Sequence, residues 1–197
     1  MRSKIKLSLI LLLFFSATVH NLRAQDGGNR TRTPAQLYSE GVALFEEGNY
    51  GSAIHKFEEL QSLDSGLLKE ASAYYLAASR LGLGNPNGEA ELKKFISDQP
   101  ESPMMNAALF RLANLSFDQK KYKEALQLYQ KLEVSSLSDA EHEKFLYYSG
   151  ISLLETGEKA KAKENFNQLR NSAGTFGDGS KYYWGHLSYL EGHYDDA

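Results

Sequence analysis

The sequence contains no cysteine and only 4 prolines in 197 residues. Without cysteine, the chain has no disulfide framework, no thiolate metal ligand, no cysteine nucleophile and no lipid-modified N-terminal cysteine. The scarcity of proline is compatible with long helices, because proline breaks helix interiors. The chain is 42% hydrophobic and 24% charged, which is the balance of an ordinary globular protein.

The one long apolar run lies near the N-terminus. Arg2, Lys4 and Lys6 precede the segment "LSLILLLFFSATV" at 7–19. The run is about 13 residues long, short of the ~20 that a membrane span requires. We therefore predict a signal peptide over 1–24, cleaved after Ala24, and a flexible linker over 25–33. An uncleaved N-terminal anchor is the alternative, and no later segment is predicted to span a membrane.

The net charge argues against nucleic acid as a partner class. Removal of 1–24 takes away four basic residues and no acidic ones, so the formal net charge moves from -3 to -7. Binding to nucleic acid needs clustered lysine and arginine to neutralise phosphates. An acidic chain without such a cluster is predicted to bind no nucleic acid.

Five segments resemble one another with a period of about 36 residues, which indicates a repeat protein. They begin at Leu37, Tyr74, Leu109, Leu146 and Tyr182. A small residue recurs in the first half of each segment, at Gly41, Ala77, Ala113, Gly150 and Gly185. An alanine recurs in the second half, at Ala53, Ala90, Ala125, Ala162 and Ala197.

Each unit is predicted to be a helical hairpin, with apolar residues at helical spacing in both halves. Glycines such as Gly48 and Gly157 are expected to end the first helix, and Gly41 is expected to face Ala53 where the two helices approach closely. A single hairpin cannot bury its apolar face alone, so the units should stack. The predicted architecture is an all-α superhelix with repeats over 34–67, 70–103, 106–140, 143–177 and a truncated 178–197.

Several local signals refine these boundaries. Thr33-Pro34 and Ser102-Pro103 each predict a helix start, with a capping hydroxyl before a proline. The segment "GLGNPNG" at 82–88 follows a helix rather than a strand, so it is predicted to be a turn with one added residue and not a phosphate loop. The segment 170–180 is predicted to be a mobile loop. The array stops one turn into its last helix, so we expect the chain to be the N-terminal part of a longer protein.

The segment "ALFRLANLSFDQKKYKEALQLYQKLE" at 108–133 resembles the tetratricopeptide-repeat pattern, and the resemblance extends over 34–197. The segment "FISDQPESPMMNAALFRLA" at 95–113 resembles repeats of the Tol–Pal coordinator and outer-membrane assembly families. The whole arrangement is similar to the long exported repeat proteins of Bacteroidota. The resemblance implies a scaffold that binds other proteins.

In the family that the chain resembles, the first helices line the concave face. Aromatic side chains with a polar tip on such a wall suit recognition of an extended or helical segment of a partner. The alternative interpretation is that these side chains brace neighbouring repeats. The predicted groove residues are Tyr38, Val42, Phe45, Tyr74, Phe110, Asn114, Phe117, Tyr147, Ile151, Tyr182, His186 and Tyr189. Lysine is missing where the family's clamp for acidic tails places it, so that function is not expected.

Catalytic signals are weak throughout. No nucleophile, base and orienting group occur together, and His186 and His193 are seven residues apart across a turn, which is poor geometry for a metal. We predict no enzyme activity, cofactor or metal. The predicted function is a scaffold in the periplasm or at the outer membrane. The alternatives are a structural or self-associating envelope module, which would associate through its unpaired fifth repeat, and a non-catalytic N-terminal array of a larger protein with a separate functional domain.

Overall fold

The computed structural model describes residues 32–63 and 66–196, and the regular elements in these ranges are all helical. In chain order they are α1 (Pro34–Glu46), α2 (Tyr50–Gln61), α3 (Leu67–Gly82), α4 (Pro86–Asp98), α5 (Met105–Asp118), α6 (Tyr122–Tyr129), a 3-10 turn (Val134–Ser136), α7 (Asp139–Glu155), α8 (Lys159–Leu169), α9 (Thr175–Leu190) and a 3-10 turn (Tyr194–Asp196). The predicted signal peptide and residues 25–31 of the predicted linker lie outside the described residues.

The helices pair as hairpins that stack in one direction. α1 packs on α2, α3 on α4, α5 on α6 and α7 on α8, and every second helix also packs on the first helix of the next hairpin. Each first helix contacts the following first helix. The helices belong to one compact unit that begins at Thr33. The predicted all-α solenoid is confirmed.

The first helix of every repeat ends in the same way. The residue after the cap has a positive φ, which suits glycine and satisfies a helix end in the Schellman geometry. It is Gly48, Gly84, Lys120, Gly157 and Gly192 in the five repeats. The next amide then donates to a carbonyl five residues earlier, in the pairs Asn49–Leu44, Asn85–Arg80, Lys121–Ser116, Glu158–Leu153 and His193–Ser188, at 2.8–2.9 Å. Lys120, with φ 60°, shows that the turn geometry persists without glycine.

One of the two predicted helix starts is confirmed. Thr33 caps α1: its hydroxyl accepts a hydrogen bond from the Gln36 amide at 3.3 Å, and its own amide donates to the Gln36 side chain at 2.9 Å. The start at Ser102-Pro103 is wrong. The Met105 amide donates to the Ser102 carbonyl at 3.0 Å, which closes a turn, and α5 begins only at Met105.

The predicted loop over 170–180 is also wrong for most of its length. Gly174, with φ 90°, ends the connection, and α9 begins at Thr175. A Cβ at Gly177 would lie 2.7 Å from the Ser172 carbonyl carbon, so the connection packs directly on the first turn of α9. The predicted boundary at 177/178 therefore falls inside a helix.

The alanine predicted for the second helix of the second repeat is incorrect. Ala90 is exposed, whereas Gly88 is buried against α3, where a Cβ would lie 2.8 Å from the Leu81 Cα. Gly88 takes the place that Ala53 has in the first repeat. The turn before α4 has no added residue: Gly84 and Asn85 correspond to Gly48 and Asn49. Gly88 follows Gly84 by four residues, whereas Ala53 follows Gly48 by five, so this segment is one residue shorter.

Aromatic rings of the second helices pack directly against small residues of the first helices. A Cβ at Gly41 would lie 2.7 Å from Phe57, and a Cβ at Gly150 would lie 2.8 Å from Phe166. Ala53 was the predicted neighbour of Gly41, but the nearest side chain is the fully buried Phe57 ring. Glycine therefore lets a ring lie directly against the first-helix backbone.

Candidate partner-binding surface

The first helices α1, α3, α5, α7 and α9 lie side by side and carry all twelve predicted groove residues. We call the side of these helices that carries the twelve residues the first-helix surface. Equivalent residues fall in columns across it, because the repeats have nearly equal lengths. The burial of each residue decides whether it can contact a partner.

Three of the predicted groove residues are buried and brace the repeats. Phe45, Tyr74 and Phe110 are 8%, 4% and 7% exposed. Arg111 of α5 donates from Nε to the Tyr74 hydroxyl of α3 at 2.8 Å, and its guanidinium lies 4.7 Å from the ring centre of Phe45 on α1. This one arginine thereby links three first helices, and it covers the aromatic side chains that the sequence suggested for a partner.

Tyr38, Phe117 and Tyr147 are half-buried, and each touches the next first helix. Phe117 stacks on Tyr148 with ring centres 4.0 Å apart, and Tyr147 packs on Phe176 at 5.2 Å. The ring centres of Tyr38 and Tyr75 are 5.9 Å apart. For these positions the geometry matches the bracing interpretation, while part of each side chain still faces solvent.

Burial raises the pKa of Tyr75 above its ordinary value near 10, and the neighbouring Tyr38 and Tyr74 act in the same direction. Burial likewise raises the pKa of Tyr129, with contributions from Tyr148 and Asp118. Both phenols therefore stay neutral at physiological pH and serve as hydrogen-bonding groups. The Tyr129 hydroxyl donates to the Asn114 side chain at 2.8 Å and so fixes that amide on the surface.

Of the six remaining predicted residues, three are half-buried and three are exposed. Val42, Asn114 and Ile151 are half-buried and form the middle column of the surface. On α9, Tyr182 is 67% exposed, Tyr189 is 58% exposed, and His186 is exposed with its ring stacked on Tyr182. Contact with a partner is therefore possible along the middle column and on α9.

An acidic row, which the sequence analysis missed, borders this surface. Glu46, Asp118 and Glu155 are exposed and lie in the last turns of α1, α5 and α7. Carboxylates at a helix C-terminus oppose the helix dipole. None of the three has an ion pair with another residue in the ranges 32–63 and 66–196. A comparison of the last helical position between repeats would have revealed the row.

The described residues form neither a cluster of metal ligands nor a membrane-spanning helix. In 32–63 and 66–196, no three histidine, aspartate or glutamate side chains come together as a group that could hold a metal ion. Within the same ranges, no helix has the length and apolar character needed to cross a membrane.

Comparison with protein families gives two matches, both to models described as tetratricopeptide repeat. They cover residues 63–140 and 145–173, which together exceed half of the chain. No protein of curated function matches the sequence.

Several solved structures share the fold. MamA AMB-1 superposes with a TM-score of 0.63 and 17% identity over 83% of this chain and 85% of that one. Pseudomonas aeruginosa pilF gives 0.61 and 18% over 83% and 71%. A tetratricopeptide repeat protein from Parabacteroides merdae gives 0.60 and 17% over 83% and 62%. At these identities the likeness concerns the fold alone.

Proposed function

Because the chain belongs to the tetratricopeptide-repeat family, whose members are generally non-catalytic scaffolds for protein interaction, we propose that it is a scaffold of the bacterial cell envelope. It binds one segment of a partner protein along the first-helix surface. The segment carries apolar side chains for the middle column and basic side chains for the acidic row.

The observation behind this proposal is that the first helices lie side by side and carry carboxylates that form no ion pair within the described residues. Five first helices lie side by side, and Val42, Asn114 and Ile151 are half-buried on α1, α5 and α7, whereas the equivalent Ala78 on α3 is buried. The acidic row of Glu46, Asp118 and Glu155 contributes little to folding, since each carboxylate lies at the unfavourable end of a helix dipole. Such a row is suited to lysine or arginine from a partner.

The buried aromatic residues are not accessible to a partner. Arg111 covers Tyr74, and Phe110 is buried at 7% exposure, so substitution of either residue would test stability rather than binding. The partner segment therefore lies over the middle column, with α9 offering the most exposed rings. This division guides the choice of variants.

We expect the double variant Val42→Arg/Ile151→Arg to lose its partner. The two arginines place bulk and like charge where apolar and basic side chains should bind, and a central contact typically contributes enough for a loss of about tenfold or more in affinity. Residues 25–197 serve as bait in an envelope extract, and captured proteins are compared by mass spectrometry. The dissociation constant is then measured with the purified partner at low and high salt.

The matched control is Gln127→Arg/Asn167→Arg, which adds the same charge at exposed positions of α6 and α8. The control should keep the partner, and high salt should weaken the wild-type complex because exposed charges are screened. Equal retention by both double variants would show that binding uses another surface.

Location in the envelope rests on residues 1–24, with their basic start and short apolar run. We expect these residues, fused to alkaline phosphatase lacking its own signal, to give active enzyme in a bacterial host, because that enzyme needs the oxidising periplasm. The full chain should begin at Gln25 after export, as read by N-terminal sequencing. The fusion carrying Leu12→Arg, which interrupts the apolar run, is the control and should be inactive. Equal activity with and without residues 1–24 would refute export.

A further inference from the structure

A cavity of about 490 Å³ lies between α2 and α4, with α3 at its base. Ala73 and Leu76 of α3 form an apolar floor, and charged side chains of all three helices surround it. We call this cavity the α2–α4 groove, and six of its lining residues are Glu58, Ala73, Leu76, Arg80, Glu91 and Gln99. The residues that line it lie in the first two repeats, and none of them belongs to the twelve residues of the first-helix surface or to the acidic row.

The floor of this groove is more open than the equivalent positions of the next two repeats. Ala73 and Leu76 are half-buried. The residues at the same distances from the positive-φ residue of their own repeat are only 1–5% exposed; they are Leu109 and Leu112 in α5, and Leu146 and Ser149 in α7. Alanine at position 73 replaces the leucine of the other two repeats, which leaves room above the floor.

The charges around the floor favour a cation. The Arg80 guanidinium donates to Glu58 Oε1 of α2 at 2.8 Å and to Glu91 Oε1 of α4, so it joins the two second helices across the groove. Each of these carboxylates has a second oxygen that can accept a hydrogen bond from a ligand. With Lys94 and Asp98 included, the lining carries three carboxylates and two cations, a net charge of -1. A ligand with a positive charge complements this lining.

A buried acceptor lies at the other end of the groove. Gln99 Oε1 is buried and accepts no hydrogen bond from the described residues. Such an acceptor is costly and is usually satisfied by a ligand or by water. Glu91 and Gln99 are eight residues apart along α4 and its cap, which is about 12 Å at the helical rise. An extended segment of about four residues covers that distance.

From these observations we infer that the α2–α4 groove binds an extended segment of a partner protein, about four residues long, that carries a basic side chain. The basic side chain lies beside Glu58 and Glu91, an apolar side chain covers Ala73 and Leu76, and a main-chain N–H of the segment donates to Gln99 Oε1. This site shares no residue with the surface of the proposed function, so either proposal can fail without the other.

The probes are two blocked tetrapeptides, acetyl-KALA-amide and acetyl-ALAK-amide, which carry the lysine at opposite ends. The matched controls have norleucine in place of lysine, which keeps the apolar stem and removes the charge. Each peptide is titrated into isotope-labelled residues 25–197, and the backbone amides are followed by nuclear magnetic resonance. We expect saturable shifts at Leu76 and Gln99 with a dissociation constant below about 1 mM for at least one lysine peptide. Its norleucine counterpart should bind at least fivefold more weakly.

Variants of the chain locate the site. Ala73→Leu introduces the residue that Leu109 and Leu146 supply in the other repeats, so it should fill the groove and weaken binding at least tenfold. Ala43→Leu, the same change at an exposed position of α1, is the control and should bind as wild type. Glu91→Gln should reduce the preference for lysine over norleucine at least threefold, which a general loss of structure would not do. Circular dichroism checks that every variant is folded.

Several outcomes would overturn the inference. They are the absence of saturable shifts with both lysine peptides, equal binding of the norleucine peptides, and unchanged binding to the Ala73→Leu chain. Shifts at Leu76 and Gln99 that depend on chain concentration without peptide would assign the groove to a second copy. The same shifts caused by Arg30→Gln without peptide would assign it to the N-terminal part of the same chain.

Discussion

Phe166→Ala is expected to lower the free energy of unfolding by about 3–5 kcal/mol, the range for removal of a fully buried phenylalanine. The Phe166 side chain is 0% exposed. Its ring stacks on Tyr183 with centres 5.0 Å apart, contacts Tyr147 at 6.2 Å and lies on Gly150. The substitution therefore removes contacts to two neighbouring first helices at once. Urea denaturation followed by circular dichroism measures the loss.

The loss should also be local, because repeat arrays are held together by contacts between neighbouring repeats. Hydrogen exchange is expected to accelerate in α7, α8 and α9 before it does so in α1 and α2. Leu67→Ala is the control, since Leu67 is 80% exposed on α3 and its truncation should change stability by no more than about 0.5 kcal/mol. Similar losses for Phe166→Ala and Leu67→Ala would contradict the packing described here.

A double-mutant cycle isolates the contact between the ring and the glycine. Gly150→Ala alone places a methyl group 2.8 Å from the Phe166 ring and should destabilise the chain. In the Phe166→Ala background the same methyl group enters vacated space, so its cost should vanish or reverse. We expect a coupling energy of about 1 kcal/mol or more. Additive effects would mean that the ring moves away from Gly150 without cost.

The periodicity of the sequence was sufficient to predict the helical hairpins and the glycine that ends most first helices. The turn at Lys120 escaped the prediction because lysine has no preference for positive φ; only alignment with Gly48 and Gly157 identifies the position. Similarly, periodicity shows which face of α3 Tyr74 occupies. It does not show that Arg111, from the next repeat, covers that face, because this contact joins residues that are distant in sequence.

The candidate site was therefore predictable in position but not in exposure. All twelve residues lie on first helices, yet Phe45, Tyr74 and Phe110 are buried between repeats. An aromatic column gives the same sequence pattern whether its side chains brace repeats or bind a partner, since both roles favour large rings at equal spacing. The acidic row was not predicted because an isolated carboxylate near a helix end is common on any protein surface.

The packing of Gly88, rather than Ala90, between the helices of the second repeat can be tested by substitution. Gly88→Leu is expected to destabilise the chain by about 3 kcal/mol, at the upper end of the usual cost of overpacking. A Cβ at Gly88 would lie 2.8 Å from the Leu81 Cα and 3.0 Å from the Ala77 carbonyl oxygen. These are backbone atoms of α3, so no side chain can rotate away, and α4 must move off α3 to accommodate the leucine. Denaturation with urea gives the free energy.

Ala90→Leu is the matched partner of this experiment, with the same leucine introduced two residues further along α4. Ala90 is exposed, and leucine is nearly as good a helix former as alanine, so stability should change by no more than about 0.5 kcal/mol. The alignment of repeats by their alanines alone makes the opposite prediction, with the large loss at Ala90. The two variants therefore decide which of the two residues lies between α3 and α4. A greater loss of unfolding free energy for Ala90→Leu than for Gly88→Leu would support the alignment of repeats by their alanines and would refute the packing of Gly88 on Leu81.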